Sequence, residues 1–252
     1  MPHAAPRPTS PTTCSSRPSR RIALALLDRL REWGVPHACV TADADYGDNP
    51  KFLDGLEARD ERYVVAIWAD FRVRIAGTSN PALQRVDTVM AERASRRWRT
   101  IRWREGSHGW LAAEFHAVRA WRQDSQGQWQ VGWLIGERPL AGMSGDRRYY
   151  WSNFRPTTPL EVLVEYVHRR HQVERFLQNA KELLGWDQYQ GRLWHGFHRH
   201  AALVMLSYSF LVWQEWQQRQ AQPRGPGRPR MAFSPSTRSP PLLAGTDPSA
   251  GV

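Results

Sequence analysis

Between residues 22 and 75 the hydrophobic period switches from helical to strand-like and back across connections of only a few residues. Few architectures accommodate that alternation. Ile22, Leu24, Ala25, Leu27 and Leu30 recur at helical spacing until Gly34 and Pro36 stop them. "HACVTADADYGDN" then predicts a short apolar strand that runs into acids and a glycine turn. "PKFLDGLEARD" predicts a helix, and "RYVVAIWADFRV" a β-branched strand. Helix, strand, helix and strand in close succession predict an α/β architecture.

The pattern changes between about 72 and 155, where alternating stretches are broken by Gly106, Gly109 and Gly127. This segment predicts an antiparallel β insertion. "TTPLEVLVEYVHRRHQVERFLQNAKELLG" predicts one long helix, with Thr158 and Pro159 at its start and Gly185 at its end. A last helix is expected over about 197–219. Residues 1–20 and 221–252 are rich in Pro, Ser, Thr, Gly and Arg without a period, so disordered tails are expected around a folded body over 21–220.

The chain has 252 residues, a formal net charge of +11 and a pI near 10.5. Its 41% hydrophobic content is ordinary for a globular protein. The cationic excess favours a polyanionic partner, above all nucleic acid, through phosphate neutralisation and counterion release. A GC-rich genome would account for Arg over Lys but not for cations over acids. Cys14 and Cys39 make no disulfide framework or metal-ligand cluster and fit a reducing cytoplasm. Asp28 and Arg29 interrupt the one leader-like run, and Ala201–Trp213 falls short of the roughly 20 residues of a membrane span. A soluble, cytoplasmic protein without a membrane partner is expected.

Two places gather chemistry. Asp43 and Asp45 stand two apart at a strand end, which puts them on the same face of the strand. Carboxylates where a parallel strand gives way to its loop suit Mg²⁺, and equally suit a capped turn with solvated acids. In the long helix, Arg170, Glu174 and Lys181 fall within about 40° of one another at 100° per residue. Val173, Leu177, Ala180 and Leu184 form an apolar stripe beside them, so Glu174 is expected at the margin of a packed face. An ordinary i,i+4 Arg–Glu pair accounts for the same spacing.

The two segments together resemble the DDE transposases of bacterial insertion sequences, in the branch with a Tyr, Arg, Glu and Lys signature. "VTADADYGDNPKFLDGLEAR" resembles their second-acid segment. "RHQVERFLQNAKELLGWDQYQGRLWHGFHRHAALVMLSYSFL" resembles their third-acid helix and the segment after it, and the likeness covers about 22–220. The resemblance implies a ribonuclease H-like mixed sheet with flanking helices. It makes Asp43 and Glu174 the second and third acids, both catalytic and metal-binding. Arg170, four residues before Glu174, and Lys181, seven after it, become contacts to DNA phosphate. Tyr166 stands one residue earlier than the signature tyrosine, with Val167 in that tyrosine's place.

The same resemblance implies two Mg²⁺ ions that activate water or a DNA 3′-hydroxyl, transposon ends and target DNA as partners, a homodimer in the complete family, and association with the nucleoid. The 131 positions from Asp43 to Glu174 suit relatives with a β insertion, an aromatic of which stacks on an unpaired base. Trp98, Trp103, Trp110, Trp121, Trp129 and Trp133 interleave with arginines there, most of them expected in the core. A first acid belongs far upstream, yet only 42 residues precede Asp43, and Asp28 and Glu32 fall in a predicted helix. The expectation is a truncated transposase, incomplete at its N-terminal strands and lacking the first catalytic Asp, with exposed sheet edges. The alternatives are a non-catalytic DNA-binding remnant and an unrelated metal-dependent nuclease that draws a third carboxylate, such as Asp28, from elsewhere.

Overall fold

The computed structural model describes residues 19–75, 82–92, 98–106 and 109–221. The expected tails, apart from a few residues at their inner ends, lie outside the described residues. The chain divides into two units, residues 1–204 and 205–252.

The expected alternation opens the first unit. α1 (Ser19–Glu32) leads to β1 (Val40–Ala42), a single turn of helix α2 (Ala44–Gly47), α3 (Pro50–Glu57) and β2 (Tyr63–Ile67). β1 and β2 pair in parallel, Val40 with Tyr63 through Ala42 with Val65. α3 starts where it does because the Asn49 side chain accepts a hydrogen bond from the Phe52 amide at 3.0 Å and Pro50 occupies the first turn. Its inner face then buries Phe52, Leu53 and Leu56.

The strand expected through Val73 is in fact two. β2 stops at Ile67, and β3 (Arg72–Ile75) lies elsewhere in the sheet, with three strands between them. The intervening turn is held from both ends. Asp48 Oδ1 accepts from the Trp68 amide at 3.0 Å, and the Trp68 carbonyl accepts from the Phe71 amide at 3.1 Å. Continuous β-branched character could not reveal a turn fastened by an acid twenty positions upstream.

After β4 (Gln84–Arg85) and α4 (Val86–Glu92) come β5 (Arg99–Gly106), β6 (Gly109–Gln123), β7 (Trp129–Arg138) and β8 (Arg148–Ser152). Their pairing is antiparallel, as the alternation predicts. They do not form a sheet of their own. β8 pairs antiparallel with β2, Val65 opposite Trp151, so one eight-stranded mixed sheet runs β1-β2-β8-β7-β6-β3-β4, with β5 on β6. Neighbouring residues supply opposite faces. Val65, Leu134 and Trp151 join α3 and α4 in one core cluster, whereas Val64, Ile135 and Tyr150 join Phe115 and α5 (Leu160–Arg169) in the other. This mixed sheet with helices is consistent with a ribonuclease H-like fold.

The single helix expected over 158–185 is interrupted at Arg170 and resumes as α6 (His171–Leu184). Arg170 itself keeps helical dihedrals (φ −54°, ψ −35°), so the break lies in the hydrogen-bond ladder rather than in a sharp turn. The halves differ in burial. α5 buries Leu163, Val164 and Val167, but on α6 only Ala180 is buried. Val173 and Leu177 are 58% and 41% exposed, so the stripe expected to pack faces outward instead. Gly185 ends α6 as expected, in the left-handed region at φ 65°.

α7 (Trp194–Ala221) reaches into the second unit. There Leu206, Phe210, Trp213 and Trp216 are exposed along one side of the helix, and Leu211 on another. Among the described residues no helix is long and apolar enough to cross a membrane.

Candidate functional site

β1 ends at Ala42, and Asp43 takes the N-cap position of α2 in an extended conformation (φ −79°, ψ −179°). Its carboxylate does not cap the helix. Because α2 begins at once, Asp45 is helical, and the strand alternation that would have put it beside Asp43 does not apply. Asp45 instead offers its backbone carbonyl to Arg20 at 2.9 and 3.2 Å. Gly47 seats α2 on β2: a Cβ there would collide with the Ala66 carbonyl, so only glycine lets this turn lie flat on the strand.

Arg170, at the helix interruption, approaches Asp43. Arg170 Nη2 lies 2.7 Å from Glu174 Oε1, and Nη1 lies 3.9 Å from Asp43 Oδ2. One guanidinium therefore reaches two carboxylates that are 131 positions apart in sequence. The His171 imidazole approaches the other oxygen of Glu174 at 3.4 Å. Asp43 Oδ1 is buried and accepts no hydrogen bond, an unusual state for a carboxylate oxygen. The i,i+4 pair foreseen as the plain alternative is present, and it also extends to Asp43.

Two other expected site residues stand apart from this contact. Lys181 is exposed and shares a shallow hollow with Glu174, Leu177, Gln178 and Glu182 on the face of α6. Tyr166 packs on Phe154 at 5.2 Å between ring centres, with the Arg169 guanidinium over its face at 5.1 Å. Burial raises the Tyr166 phenol above its usual pKa. Asp28 is also accounted for, because Arg59 holds both its oxygens at 2.6 and 2.7 Å.

Beside Arg170 and Glu174 opens a cavity of about 580 Å³. Arg104, Arg147 and Arg148 line it with Arg170, and Trp68 and Trp103 border it. In its wall, Tyr150 donates to Glu137 Oε2 at 2.6 Å, and His168 stacks flat on Trp103 at 3.8 Å. Burial raises the Glu137 carboxyl above its usual range, against the lowering effect of the Tyr150 hydrogen bond. Burial, helped by the positive charge of Arg148, pushes His168 down to about 4. His168 is therefore neutral at pH 7, and its 3.8 Å approach to Glu137 is no ion pair. Periodicity pointed to none of these wall residues; the Arg147–Arg148 pair ahead of an aromatic strand was the one visible signal.

Of the six named tryptophans, Trp103 and Trp133 pack against the second core cluster and Trp110 is exposed, whereas Trp151, also within 72–155, is a core residue. Arg138 covers Trp98 at 4.5 Å, Arg74 covers Trp129 at 4.1 Å and Arg119 covers Trp133 at 5.1 Å. Each cation–π pair covers one ring face with a guanidinium.

Chemically, two carboxylates converge on one cation. Hard divalent ions such as Mg²⁺ use one or two carboxylates and complete their shell with water and phosphate oxygens. Asp43 and Glu174 fit such a partial set, and the unpaired Asp43 Oδ1 has acceptor capacity to spare. Among the described residues no group of three His, Cys, Asp or Glu side chains could hold a metal.

No curated protein matches the chain. Residues 3–110 match the family model of the DDE superfamily endonucleases, a stretch that contains Asp43 and stops short of Glu174. Over that stretch the chain is similar to a DDE-type nuclease or transposase.

Proposed function

We propose that this chain derives from an insertion-sequence transposase. Its site is that of metal-dependent DNA strand cleavage and transfer, with Asp43 and Glu174 as the second and third acids. The observation that carries the reading is the single Arg170 guanidinium reaching both carboxylates. DDE superfamily endonucleases generally use divalent ions, and Mg²⁺ suits two carboxylates completed by phosphate oxygens. Such an ion would supply water activation and stabilise the leaving oxygen. Arg170 and Lys181 would hold DNA phosphate, Lys181 as a compact charge on a flexible stem. Transposon ends and target DNA are the proposed substrates, and a homodimer the proposed working form.

Among the described residues the pair stands one carboxylate short of the three that the family resemblance implies, which favours a second reading: a chain that binds DNA but does not cut it. Purified protein incubated with the element's end DNA and Mg²⁺ separates the two. Salt-sensitive binding without cleavage is the expected result. Robust cleavage lost in Asp43→Asn would restore the complete enzyme. Binding that is absent or indifferent to salt would sink both readings.

A further inference from the structure

We propose that Arg170 is an internal cation that occupies the carboxylate pair until DNA phosphate draws it away, so that DNA engagement strengthens metal loading. The inference rests on the proposed metal-binding role of Asp43 and Glu174 and adds an order of assembly to it.

Two carboxylates held together repel unless a positive charge lies between them. Here Arg170 supplies that charge, at 2.7 Å from Glu174 and 3.9 Å from Asp43. A divalent ion would need the same oxygens, and two cations cannot share them without repulsion. Metal binding must therefore displace the guanidinium. The contact is poised for this. The Asp43 arm is too long for a hydrogen bond, Asp43 Oδ1 is unpaired, and the Arg170 side chain is 42% exposed.

The cavity offers Arg170 another place to go. Arg104, Arg147 and Arg148 line the same 580 Å³ space, and a phosphate drawn to them arrives beside Arg170. A guanidinium pairs with phosphate in a bidentate fork, which an exposed single carboxylate contact does not match. Turning from Glu174 to phosphate, Arg170 would at once hold DNA and bare two carboxylates. Arg170 is thus a positioning residue that couples two ligands, and linkage requires the coupling to be reciprocal.

The test measures Mn²⁺ binding to the full chain by the paramagnetic resonance of the free ion, with and without a short blunt DNA duplex. Wild type, Arg170→Gln and Arg170→Lys are compared. Without DNA, Arg170→Gln should bind Mn²⁺ roughly two- to fivefold more tightly than wild type, the range for removing one partner of an exposed ion pair. Arg170→Lys, which keeps a charge, should stay close to wild type. The duplex should raise wild-type affinity by a larger factor than it raises that of Arg170→Gln. Equal or weaker Mn²⁺ binding by Arg170→Gln without DNA, or an equal gain from DNA in both proteins, overturns the proposal. Asp43→Asn and Glu174→Gln guard the reading beneath it. If Mn²⁺ binding survives both substitutions, the carboxylate pair is not the site, and the functional reading fails together with the proposal.

Discussion

The centre of the sheet and its β1 edge are built to different standards. Where β6, β7 and β8 pair antiparallel, Phe115, Leu134, Ile135 and Trp151 are at most 1% exposed, and helices cover both faces. At the β1 end, all three strand residues are only half-buried, α1 buries Leu27 alone and α6 buries Ala180 alone. Ile22, Leu26, Val173 and Leu177 stand exposed there. Parallel strands are normally covered on both faces, so a loosely covered parallel edge is uncommon. Asp43 and Glu174 belong to this looser end. The packing is thus carried by β6, β7 and β8 together with α3, β2 and α5, while β1, α1 and α6, which surround the proposed chemistry, contribute little to it.

Core truncation tests that contrast most severely. Trp151→Ala removes a ring that packs on Phe71 at 6.1 Å and fills the space over Gly132, and should cost about 3–5 kcal/mol in urea unfolding. Leu26→Ala on α1, with its side chain 55% exposed, should cost no more than about 0.5 kcal/mol. Comparable losses would mean that the edge is packed after all.

His168 gives the next largest effect, and it depends on pH. Its folded pKa of about 4 lies below the ordinary 6.5, so the unfolded chain binds the extra proton between those values. Stability therefore falls as the pH drops from about 6.5 to about 4, by an amount on the order of 2–3 kcal/mol. Glu137, raised by burial, works the other way, because its folded form holds a proton that the unfolded form has lost. It adds stability at low pH and loses it as the pH rises through its folded pKa. His168→Gln should flatten the acid side of the stability profile. An unchanged profile would mean that His168 is solvated.

Much of this was legible in the sequence, for physical reasons that differ by element. The helix–strand alternation over 22–67 was readable because each element buries one face, and burial writes its period into the residues. The antiparallel insertion was readable from its glycine turns. The route of β3 was not, since Asp48 fastens the preceding turn through a side chain distant in sequence. The outward stripe of α6 misled because apolar spacing records that a face is apolar, not that anything covers it. For the site, Glu174 with Arg170 could be read from spacing. The contact to Asp43 could not, because it joins residues far apart in sequence on different elements.

Lower in magnitude, the edge should reveal itself in dynamics and solubility. Amides of β1 should exchange with solvent well before those of β7, since few buried contacts oppose their opening. Leu177→Glu should raise soluble yield while shifting stability by no more than about 0.5 kcal/mol, as a surface substitution does. Equal protection in the two strands would remove the distinction between edge and centre.

Lys181 gives the smallest effect on stability and isolates function from packing. It is exposed on α6, so Lys181→Ala should leave the melting temperature within error. If Lys181 holds a DNA phosphate, the same substitution should weaken binding to duplexes of any sequence alike and lower the salt slope by roughly one. A stability loss without a change in slope would place Lys181 in the fold's support instead. A change in slope without a stability loss would fit the division seen across the sheet, with function resting on residues that the packed centre does not need.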